Sequence, residues 1–74
     1  MNLIRLNESE LYSISPISYS VVYDDREHKK NWHLEFSGDQ QAILSDSNGN
    51  PIFFMTEMDV IEFCNARWPL LKRI

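Results

Sequence analysis

Asp46-Ser47-Asn48-Gly49-Asn50-Pro51 constrains the fold of this chain more than any other stretch. It is dense in turn formers and stands between two apolar runs, Ala42-Ile43-Leu44-Ser45 and Ile52-Phe53-Phe54-Met55. Asn-Gly in that setting is the strongest short hairpin signal, because both residues tolerate the positive φ of a type I′ turn. With Asn48 and Gly49 as the two loop residues, Ser47 pairs with Asn50. Leu44 then faces Phe53, and Ile43 faces Phe54. Pro51 has no N–H to give a ladder and suits a strand start or an edge.

The outgoing arm runs straight into a helix signal. Thr56 is followed three residues later by Asp59, a capping-box spacing with Asp in the usual Glu position. Glu57 and Asp59 fall in the first turn and Arg67 near the end, each on the side the helix dipole favours. Val60, Ile61, Cys64 and Trp68 share one stripe at helical spacing, with Phe63 at its margin. Pro69 disfavours helix at Trp68. The expected helix covers 57–67.

Upstream, Ile17, Tyr19, Val21 and Tyr23 alternate with Ser18, Ser20 and Val22, as a strand requires. Trp32, Leu34 and Phe36 alternate with His33, Glu35 and Ser37, a half-buried strand with one wet face. Residues 1–16 are ambiguous. Leu3-Ile4-Arg5-Leu6 reads as a short strand, and Asn7 with Glu10 as the start of one or two helical turns. Residues 69–74 read as a short tail. The expected fold is one α+β domain over 1–74: a four-stranded antiparallel meander in 17–55 with a C-terminal helix on one face. The helix stripe is expected on Trp32, Leu34 and Phe36.

Phe53-Phe54 makes the sheet apolar on both sides, because neighbours in a strand point to opposite faces. Under the two-residue turn, Ile43, Ile52 and Phe54 share one side, and Leu44 and Phe53 the other. Val21-Val22-Tyr23 is two-sided in the same way. Three readings compete for the face away from the helix. The N-terminal segment folds across it, or it is an interface with a second copy or another protein, or it lines a small-molecule pocket. The interface reading selects Ile43, Ile52, Phe54 and Val22 as partner-binding residues.

Composition narrows the classes. A chain of 74 residues buries roughly 60% of its unfolded surface, so packing or a partner must supply its stability. The net charge of −4 weighs mildly against a nucleic-acid binder. One cysteine, Cys64, excludes an intrachain disulfide and fits a reducing compartment. No signal-peptide pattern or membrane-length apolar run is present, and a cytoplasmic protein is expected.

The chemistry-bearing residues match no strong motif. Asp24, Asp25, Glu27 and His28 have no metal-site spacing and read as a solvated loop. Asp46, Asn48, Asn50 and Glu57 coincide with calcium-loop positions, but Pro51 stands where glycine is needed. Cys64 and His33 have the types of a nucleophile and base, yet a Cys on an apolar stripe reads as packing. No cofactor, metal or catalytic residue is expected. The leading expectation is a small non-catalytic interaction module, a homodimer or an accessory subunit of a larger protein, of a kind that suits a phage or plasmid accessory protein. The alternative is a nucleic-acid-binding domain using Lys29, Lys30, Arg67, Lys72 and Arg73, with Trp32 and Trp68 as stacking platforms.

Overall fold

The computed structural model describes residues 3–24 and 31–74. Five strands and two helices follow in the order β1 (Ile4–Leu6), α1 (Glu8–Ile14), β2 (Ser18–Tyr23), β3 (Trp32–Ser37), β4 (Ala42–Leu44), α2 (Glu57–Arg67) and β5 (Lys72–Arg73). They build one sheet in the order β1-β4-β3-β2-β5. The α+β class holds. The four-stranded antiparallel meander does not: β3 is antiparallel to β2 and β4, but β1 runs parallel to β4 and β5 parallel to β2.

Four strands thus run one way and β3 alone runs against them. Each helix serves a crossover between parallel strands, α1 from β1 to β2 and α2 from β4 to β5. Both crossovers pass the same two-strand width in the same direction on the same face, so they share one hand.

Local chemistry explains the helices. Asn7 Oδ1 accepts from Glu10 N–H at 2.9 Å, and Glu10 Oε1 accepts from Asn7 N–H at 3.0 Å, a complete capping box. For α2 the Thr56 hydroxyl accepts from Asp59 N–H at 3.1 Å, and the helix ends at Arg67 as Pro69 requires. Leu11 from α1 and Val60, Cys64 and Trp68 from α2 meet Tyr19, Leu34, Phe36, Ala42 and Leu44 of the sheet in one core cluster. The N-terminal segment therefore packs on the same face as α2. It does not fold across the opposite face.

The hairpin differs from expectation by one residue. Gly49 alone takes a positive φ, +84°, and Asn48 does not. Gly49 N–H donates to Asp46 O at 3.0 Å and Asp46 N–H to Asn50 O at 2.8 Å, closing a three-residue loop. Asp46 Oδ1 accepts from the N–H groups of Asn48 and Asn50, which holds the longer turn. Ser45 then bridges Pro51, and Ile52 N–H donates to Leu44 O at 3.0 Å.

The outgoing arm is not a regular strand. It lies alongside Leu44 and then moves to β3, where Phe54 and Trp32 exchange both backbone hydrogen bonds, at 2.6 and 3.0 Å. A Cβ added to Gly49 meets nothing within 4 Å, so only the left-handed backbone opposes substitution. Gly49→Ala is expected to cost about 1 kcal/mol, read as the shift in thermal midpoint. A neutral result would mean the loop relaxes out of this conformation.

Candidate protein-contact face

A one-residue slip in register turns every side chain of an arm to the other face. The grouping of Ile43, Ile52 and Phe54 on one side is therefore corrected. Leu44, Ile52 and Phe54 point to the helices, where the Phe54 ring meets Phe63 at 5.4 Å between centroids. Phe53 points away. Its ring meets the His33 ring edge-on at 6.0 Å. The four residues expected to bind a partner are split: Ile52 and Phe54 pack against the core, and Val22 and Ile43 stay on the opposite face.

That opposite face is built by register. Val22 stands beside His33, Ile43 beside Glu35, and Arg5 beside Ile43. Phe53 completes it from the hairpin arm. Among the described residues neither helix contributes to it. Val22 and Phe53 are half-buried, and Ile43 is 7% exposed.

The polar centre of the face is a pair of side chains. His33 is 5% exposed, where the alternation led us to expect a wet surface histidine. Its Nε2 lies 2.6 Å from Glu35 Oε2. A carboxylate only accepts, so Nε2 carries the hydrogen of this bond. Nδ1 is buried and has no hydrogen-bond partner among the described residues. The pair positions an imidazole beside an apolar surface but has no nucleophile. Cys64 lies in the core on the other side of the sheet, and burial pushes its thiol up to about 11.

Of the basic residues of the nucleic-acid alternative, Arg67, Lys72 and Arg73 are described, and both arginines are engaged by carboxylates. Arg67 Nε donates to Glu8 Oε1 at 3.0 Å, and its guanidinium lies 3.7 Å from the centre of the Phe63 ring. Arg73 Nη2 donates to Glu57 Oε2 at 2.7 Å. Lys72 is exposed beside Ser18. Lys29 and Lys30 lie outside the described residues, as does the 25–28 part of the acidic loop. Asp24 is described and nearly buried. Among the described residues no group of three metal-ligating side chains forms, and no helix is long and apolar enough to cross a membrane.

Sequence reasoning missed Phe53, and with it the Phe53–His33–Glu35 grouping. The signal was present. Asp at the first position of a β-turn with Gly at the fourth is a type I pattern, and a three-residue hairpin loop places that Gly in the left-handed region. No protein-family model matches the chain, nor does any curated protein or solved structure.

Proposed function

We propose that the chain is a small non-catalytic cytoplasmic interaction module, a homodimer or an accessory subunit, that contacts protein through the face bearing Val22, Ile43 and Phe53. One observation carries the reading: both crossovers place their helices on the same side of the sheet, and among the described residues no helix lies over the apolar face opposite. Val22 and Phe53 keep part of their surface exposed there, and contiguous apolar surface marks contact sites. The His33–Glu35 pair supplies a polar centre, and Arg5 and Lys72 supply polar rims on the two edge strands. The nucleic-acid reading draws less support, because Arg67 and Arg73 are already engaged by Glu8 and Glu57.

The test crosses two phenylalanines. Val22→Lys with Phe53→Lys is expected to abolish self-association, or capture of a partner, with the fold retained. Phe54→Ala is expected to do the reverse, keeping association and losing roughly 2–3 kcal/mol of stability, since its ring is half-buried in the core. Light scattering and urea denaturation read the two quantities separately. Unchanged association in the lysine double variant, measured against both a second copy and a partner pull-down, removes this face from consideration.

A further inference from the structure

Ser15 is the sole non-glycine residue with positive φ among the described residues, at φ 50° and ψ 68°. It caps the C-terminus of α1 and precedes Pro16. Left-handed backbone is unfavourable for serine, and a residue before proline is pushed toward extended conformations. The connection from α1 to β2 therefore holds a bend that its own sequence opposes. It is also short: Ile17 N–H is already on Ser37 O at 2.9 Å.

The unit on the far side of this bend, β1 with α1, is held entirely by non-local contacts. Ile4 N–H donates to Gln41 O at 3.1 Å, and Leu6 O accepts from Ser45 N–H at 2.8 Å. Leu11, fully buried, enters the core. Tyr12 packs on Trp68 with centroids 5.0 Å apart, and Glu8 takes Arg67. A second copy of the chain offers every one of these contacts unchanged.

We propose that residues 15–17 are a hinge and that β1–α1 exchanges between two copies, each completing the other's core. With the hinge extended, Ser15 leaves the left-handed region and takes the conformation Pro16 prefers. Each β1 pairs with the partner's β4, and each Leu11 fills the partner's core. The native contacts are all kept and the hinge strain is released twice, which is the condition under which exchange of an identical element is a low-cost route to a dimer. The proposal stands apart from the second-face reading. Ser15 lies outside that face, and of the exchanging unit Arg5 stands on it, beside Ile43.

The experiment refolds the full chain from denaturant at high protein concentration and measures mass by light scattering on a sizing column. Ile4 and Ala42 are facing partners on β1 and β4, on the helix side of the sheet and off the second face, at a spacing that a disulfide accepts. Ile4→Cys with Ala42→Cys, in a Cys64→Ala background, is oxidised and run on a non-reducing gel. A covalent dimer is the expected result, and a bond closed within one chain overturns the exchange. Ser15→Gly removes the strain from the closed hinge and is expected to weaken the dimer on the order of thirtyfold. Where the cysteine variant does not fold, Ser15→Gly decides alone, and an unshifted dimer overturns the proposal. A wild-type chain that stays monomeric up to its solubility limit also overturns it. A dimer insensitive to Ser15→Gly but broken by Val22→Lys and Phe53→Lys belongs to the second face instead.

Discussion

Trp68→Ala is expected to remove about 3–5 kcal/mol of stability. A domain of this length has roughly 4–11 kcal/mol in total, so the variant stands at the edge of unfolding at room temperature. The size follows from what the indole joins. Its ring is 4.8 Å from Phe36 on the sheet, 5.0 Å from Tyr12 on α1 and 6.4 Å from Phe63 on α2, centroid to centroid. Its removal opens a cavity where both helices meet the sheet. Trp68→Phe separates packing from hydrogen bonding. The indole N–H is buried without a partner among the described residues, so phenylalanine discards that donor while keeping a ring, and the loss should fall to roughly 1–2 kcal/mol. Leu70→Ala is the control: Leu70 is 93% exposed and should change stability by less than about 0.5 kcal/mol. Urea denaturation that finds Trp68→Ala within about 1 kcal/mol of wild type would show that the helices are held by something other than this ring cluster.

The second large effect concerns the thiol. Cys64 is fully buried, and burial raises its pKa from 9.0 to about 11. Only the thiolate attacks a disulfide reagent. At mildly alkaline pH the shift alone lowers the thiolate fraction about a hundredfold relative to the unfolded chain, and the shielding of the sulfur lowers the rate further. Native protein should therefore react with an aromatic disulfide reagent at least about a hundred times more slowly than protein in denaturant. The shift also has a consequence for stability. A thiol whose pKa is higher in the folded state contributes fully below pH 9 and loses that contribution as pH rises toward about 11, because the unfolded chain releases its proton first. Thiolate absorbance followed against pH checks both statements. A midpoint near 9 in the folded protein would mean that the sulfur is wet and that α2 does not seal on the sheet.

Local signals were legible where a few neighbouring residues decide the outcome. Thr56 and Pro69 bound α2, and Asn7 with Glu10 start α1, because capping is chemistry within one turn. Alternation around Tyr19 and around Leu34 identified β2 and β3. The errors lie at the next level. Asn48-Gly49 permits a two-residue turn, and Asp46 with Gly49 permits a three-residue one. The choice between them exchanged the faces of Phe53 and Phe54 and relocated the candidate contact surface. Parallel pairing leaves no turn signature at all, so the partner of Ile4-Arg5-Leu6 could not be read. Lys72-Arg73 forms a strand on the strength of the Tyr19 backbone and the Glu57 carboxylate, both of which lie fifteen or more residues upstream. The burial of His33 was hidden for the same reason, since it depends on strands that are remote in the chain.

The interleaved crossovers also set an order of assembly. Tyr23 and Trp32, partners on β2 and β3, are nine positions apart, whereas Ile4 pairs with Ala42 and Ser18 with Lys72 across 38 and 54 positions. Loop closure makes remote pairs slower to form than near ones. The β2–β3 hairpin and α2 are thus the natural early structure, and the two outer strands join last. During synthesis β1 leaves the ribosome first yet waits for β4 before it has a neighbour, and β2 keeps one bare edge until Lys72 emerges. Changes in either outer strand should therefore speed the loss of the native state more than they slow its formation.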